Sequence, residues 1–220
     1  MRISTAIVAV LTGAALAVSA AEAEAHQSDL QTAQALLKSG HADQALTLVD
    51  PIIEKAMLKE AKDPGAICPS AAAAFLQSFM KGNFVVTVDN DWCDALLVKG
   101  YALNDLKRPE EAADVLKTLV GHAPGNAQYL IEYAYTVRVN GEMERALDLY
   151  KRAEGVASKV ANRETAAHWR AAALRGQGFS LSELKRWDEA VKAYQQSLKY
   201  EPANEIARHE LKYIEENRPR

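Results

Sequence analysis

RWDEAVKAYQQSLKYEP, residues 186–202, is the stretch from which the rest of the chain can be read. Within it Ala190, Tyr194, Ser197 and Leu198 recur at steps of four, three and one, which places them on one face of a helix. Pro202 stops that helix, because proline has no amide proton for the next turn. Upstream, Leu174, Gly178 and Leu181 form a matching stripe on a preceding helix that ends near Lys185. Together the two stripes predict a helix–turn–helix of about 34 residues.

The same places are filled again further back. Gly100, Leu103, Ala112, Leu116 and Pro124 stand where Gly178, Leu181, Ala190, Tyr194 and Pro202 stand. Between these copies lie Ala134, Val137, Ala146 and Tyr150, with Ala146 34 residues after Ala112 and Asn140-Gly141 as helix breaker. A looser copy, Ala33, Leu36, Gly40, Ala45 and Val49, lies near the start of the chain. Small residues at Gly100, Ala134 and Gly178 let the two helices of a unit approach closely. Ala112, Ala146 and Ala190 do the same on the second helix, and Leu116, Tyr150 and Tyr194 fill the space between units. One such unit cannot bury its apolar face alone, so units must stack.

This pattern resembles the tetratricopeptide repeat (TPR), which runs aromatic-x₂-Leu-Gly-x₂-Tyr, then Ala-x₃-Phe, then Pro. The resemblance implies an all-α fold, a right-handed α-solenoid of stacked repeats closed by a C-terminal capping helix. The expected organisation is a leader at 1–25, a divergent unit at 26–59 and an irregular segment at 60–92. Repeats follow at 93–126, 127–159 and 160–204, with a capping helix at 205–220. The chain departs from the family at Leu96, Leu130 and Leu174, which replace the opening aromatic. It departs again at 60–92, where NFVVTVDND (83–91) lacks helical periodicity. That segment reads as a short Ala-rich helix at about 69–81 and a loop. Ala146 and Ala190 are 44 residues apart, and the excess is assigned to 159–170 as a longer first helix of the last unit.

Composition agrees with a folded, helix-rich chain: 49% hydrophobic and 25% charged residues, with only 11 Gly and 7 Pro. A net charge of −3 gives no electrostatic reason to expect nucleic acid or an anionic membrane as partner. Arg2, the uncharged run ISTAIVAVLTGAALAV (3–18) and small residues through Ala25 have the layout of a secretory signal peptide. The run is shorter than the ~20 apolar residues that span a bilayer, so no stable membrane insertion is expected after cleavage. Export makes a Cys68–Cys93 disulfide the default reading, with two buried thiols as the alternative.

In the family, the first helices of successive units line a concave groove for a peptide or a partner's helix. Carried over by position, the groove residues are Leu97, Tyr101, Asn104 and Asp105, then Ile131, Tyr135 and Arg138, then Arg175, Phe179 and Ser182. Asp94, Gln128, Val139, Ala172 and Glu183 share their faces. Tyr101, Tyr135 and Phe179 are equivalent in three units and make an aromatic column suited to anchor a partner. Two readings stay open, since the aromatics could pack only on a neighbouring helix and the polar members could be merely solvated. The Lys and Asn set with which some family members clamp a terminal carboxylate is absent.

No metal or cofactor is expected. The histidines at 26, 41, 122, 168 and 209 have no metal-ligand spacing, and no nucleophile elbow, Walker loop or dinucleotide fingerprint is found. Cleavage after Ala25 would leave His26 as an amino-terminal copper chelator, but no second histidine constellation supports this. The expected function is a non-enzymatic periplasmic scaffold or adaptor that binds a protein or peptide in the cell envelope. A dedicated assembly factor for one envelope component is the alternative, and an enzyme with an unrecognised site is a remote one.

Overall fold

The computed structural model describes residues 25–60 and 90–218. The expected leader up to residue 24, the expected helix at 69–81 and Cys68 lie outside the described residues. Among the described residues there are nine helices and no strand. They are α1 (25–38), α2 (Ala42–Glu60), α3 (Asn90–Asp105), α4 (Pro109–His122), α5 (Ala127–Val139), α6 (Met143–Ala157), α7 (Arg163–Glu183), α8 (Trp187–Tyr200) and α9 (Glu205–Asn217). From α2 to α9 each helix packs on its neighbour in the chain, and α5 also packs on α7. This is the α-solenoid that the phased stripes predict.

The four tight turns within pairs are built alike. Gly40, Lys107, Gly141 and Lys185 all have positive φ, from 60° to 83°. The amide of the next residue reaches back to Leu36, Leu103, Val137 or Leu181, with N···O between 2.9 and 3.2 Å. That is the reach of a left-handed helix cap, which satisfies a carbonyl the ending helix would otherwise leave bare. Each left-handed residue stands five positions before the phased alanine of its unit.

The first helices of later pairs open differently. Asn126, Asn162 and Asn204 each accept a hydrogen bond from the amide three residues on, at Tyr129, Thr165 and Ala207. These are side-chain N-caps, which satisfy donors that the first turn leaves free. The second helices α4, α6 and α8 have no such cap. Their first turns instead carry Arg108–Glu111, Glu142–Arg145 and Arg186–Glu189 pairs.

The phased small residues are where the helices touch. Ala33, Ala45, Ala112, Ala134, Ala146 and Ala190 have no exposed surface. A β-carbon at Gly100 would stand 2.6 Å from the Leu116 side chain, and one at Gly178 would stand 2.8 Å from the Tyr194 ring. α7 is 21 residues long, and its extra N-terminal turns are fastened to neighbours. His168 Nδ1 meets Glu201 at 2.9 Å, Arg170 meets Glu154 at 3.3 Å, and Arg170 lies 4.6 Å over the Tyr200 ring. α9 closes the stack by burying Ala207 and Ile214, while Ile206 and Tyr213 face outward. Cys93 is buried beside Trp92 at the start of α3.

Candidate protein-binding groove

α3, α5 and α7, the first helices of three successive pairs, carry the candidate groove. α5 shows how the sequence sets its face. Leu130, Tyr133, Ala134 and Val137 are buried, whereas Tyr135 is 44% and Val139 48% exposed. Tyr135 and Val139 are four residues apart and therefore neighbours on one surface stripe. Leu97 and Ile131 are half-buried and pack against the core. Tyr101 and Phe179 are half-buried as well, so Tyr135 is the open member of the aromatic column.

Arg138 joins two of the column's rings. Its guanidinium carbon lies 5.0 Å from the Tyr135 ring centre and 4.2 Å from that of Phe179. A cation over an aromatic face at these distances is attracted by the ring quadrupole. Its Nε is buried without a hydrogen-bond partner. The charge also acts on the Tyr150 hydroxyl, whose pKa is nevertheless pushed up to about 12, burial being the largest cause.

Tyr101 and Glu132 form the next group along the groove. Burial pushes the Glu132 carboxyl above its ordinary value, and the Tyr101 hydroxyl beside it offsets part of that rise. Burial foremost, with the Glu132 charge behind it, raises Tyr101 in turn. Asp94, at the near end of α3, is also raised, by burial and then by the Asp91 charge. A carboxyl raised in this way holds its proton more readily than a solvated one.

Other expected groove residues are occupied within the fold. Asn104 Nδ2 donates to Thr136 Oγ1 at 2.8 Å, which ties α3 to α5 and leaves Oδ1 buried without a partner. Arg175 pairs with Glu201 at 2.5 Å and is only 18% exposed along its side chain. Burial alone would raise Glu201, but the Arg175 charge and the hydrogen bonds from Arg175 and His168 together hold it below its ordinary value. Ser182 does not line the surface: it is 7% exposed, and its hydroxyl donates to the Gly178 carbonyl one turn earlier, at 3.0 Å. It is a small residue in a packed layer. Asp105 is exposed at the end of α3.

Glu132, Thr136, Tyr150 and Glu201 complete the site without having been expected there. A lone carboxylate inside the apolar run AQYLIEYAYTV was the available signal for Glu132. Glu201 had none, because its role comes from contacts to residues 26 and 33 positions away. Among the described residues, no three His, Cys, Asp or Glu side chains are placed to hold a metal, and no helix is long and apolar enough to cross a membrane.

Comparison with known proteins gives the same architecture. Residues 97–162 and residues 171–204 match family models of the tetratricopeptide repeat. No curated protein sequence matches the chain. The structure is similar to that of the MamA protein, with a TM-score of 0.58 and 16% identity over 88% of this chain and 82% of that one. It is also similar to the nearly identical TPR-like repeats of a Podosopora anserina kinesin light chain, with a TM-score of 0.60 and 14% identity over 86% and 85% of the two chains. At such identities the likeness shows the fold.

Proposed function

We propose that this chain is an exported scaffold or adaptor whose concave face holds an extended segment of a protein partner in a bacterial periplasm. The observation that carries the reading is the exposure of Tyr135 and Val139, 44% and 48%, on a helix whose other large apolar residues are half-buried or buried. A rigid aromatic with an aliphatic neighbour offers contact area at small entropic cost. Tyr101 and Phe179 extend the same strip onto the adjoining pairs. Tetratricopeptide repeats are in general protein-interaction modules, which supports a partner of this class. Export rests on the layout of residues 1–25.

The test places a photo-crosslinking residue at Val139 of the full chain in living cells and identifies adducts by mass spectrometry. A saturable adduct with one or a few envelope proteins is expected, and Tyr135→Ala should weaken it with folding intact. Unchanged capture by Tyr135→Ala and Tyr101→Ala would remove the aromatic column as the binding surface. Fractionation with N-terminal sequencing tests export separately; a cytoplasmic protein retaining residues 1–25 defeats that part.

A further inference from the structure

The groove's two central arginines differ in one respect that bears on what the groove selects. Arg175 is answered inside the fold by Glu201, so its charge is spent. Arg138 forms no ion pair among the described residues, although Glu132 shares its helix and Glu183 and Glu210 lie on α7 and α9. Rings cover its guanidinium at 5.0 and 4.2 Å, which fixes its orientation. A hydrogen bond to the Tyr150 hydroxyl uses one of its donors, and the N–H groups that remain can meet the oxygens of a carboxylate.

Resting on the peptide-binding reading above, we propose that Arg138 makes the groove select an acidic side chain, Asp or Glu, within an extended partner segment. The ring-held orientation of Arg138 and its lack of an ion pair among the described residues support this, because a cation left unanswered in a groove favours an anionic occupant. The flanking surface defines the neighbours of that residue: Tyr135, Val139 and Phe179 call for apolar side chains on either side. Position decides between an internal residue and a chain end. α5 is the middle of the three first helices, and the aromatic strip continues past Arg138 onto α3 and α7. A terminal carboxylate seated there would leave half of the strip empty. An internal acidic residue fills both halves.

The experiment uses the full chain and fluorescent heptapeptide libraries, capped at both ends, with apolar flanks and a central Glu, Gln or Lys. A fourth library has no acidic side chain but a free terminal carboxylate. The central-Glu library is expected to bind about tenfold more tightly than the Gln library, the size of one charge-assisted contact. Arg138→Lys should keep part of that preference and Arg138→Gln should abolish it, with circular dichroism confirming that both fold. Tyr135→Ala should weaken all libraries alike. Equal binding of the Glu and Gln libraries overturns the selectivity while leaving the groove reading intact. A preference shown only by the free-carboxylate library overturns it in favour of a chain end. Binding by no library, or binding indifferent to Tyr135→Ala, overturns the groove reading and this inference with it.

Discussion

Gly176 and Gly178 stand two residues apart on α7, and each faces a different tyrosine. A β-carbon at Gly178 would meet Tyr194 of the same pair at 2.8 Å, and one at Gly176 would meet Tyr150 of the preceding pair at 2.2 Å. The first contact closes a unit and the second joins two units. Tyr150 is 3% exposed, so its ring has little room to retreat. Gly176→Ala is therefore expected to destabilise by about 1–3 kcal/mol through overpacking. Gly155, near the end of α6, has nothing within 4 Å of a built β-carbon. Gly155→Ala should stabilise by about 0.5–1 kcal/mol, since alanine loses less backbone freedom in a helix. Urea unfolding of both variants checks the pair, and two changes of the same sign would sink the argument. Gly178 is legible in the sequence as a helix-packing residue; which ring each glycine meets is not.

The within-pair turns show what an element requires of its residues. All four use one left-handed residue, yet two of these are glycines and two are lysines, with φ near 60° at Lys107 and Lys185. Left-handed backbone costs an L-residue roughly 1–2 kcal/mol, partly offset by the greater freedom glycine loses on folding. Lys107 is exposed, so Lys107→Gly should gain about 0.5–1 kcal/mol, while Gly141→Ala should lose a similar amount. Matched thermal melts decide it: a loss at Lys107→Gly would mean that the lysine side chain contributes more than the strain costs. Asn140-Gly141 announces its turn in the sequence. The lysine turns do not, because lysine is ordinary in a helix and only the period reveals where the helix stops. The N-cap at Asn162 is the last of the five residues, 158–162, that separate α6 from the long α7. Asn162→Ala should cost about 1 kcal/mol.

Across the whole molecule the helices are joined by small polar devices as well as by apolar packing, and these should show in the pH dependence of stability. Glu132 lies beside Tyr101 of the preceding unit and is raised by burial above an ordinary value of 4.5. A raised carboxyl costs nothing while both states hold the proton, and its cost grows as pH rises from about 4.5 through the native value. Glu132→Gln should thus gain on the parent protein between pH 4 and pH 7. Glu201, held below 4.5 by Arg175 and His168 against its burial, has the opposite sign. Its contribution is present above pH 4.5 and is lost as pH falls through the lowered value. Glu201→Gln should cost stability at pH 7 and little at pH 3. Urea midpoints over pH 3–7 read both, and parallel curves for the two variants would contradict the assignment. The sequence by itself determined the helical pairs, their period and their stacking. Those follow from spacings of three, four and 34 residues, and they need nothing beyond the local chain and the demand to bury an apolar stripe. Only the tertiary structure decided which groove residues are available. Arg175, Asn104 and Ser182 are taken up within the fold, whereas Tyr135 stays exposed and Arg138, though held by rings and the Tyr150 hydroxyl, forms no ion pair among the described residues. Whether a polar side chain is answered inside depends on partners up to 33 residues away in the chain, brought near by packing between helices. No spacing within one helix encodes that.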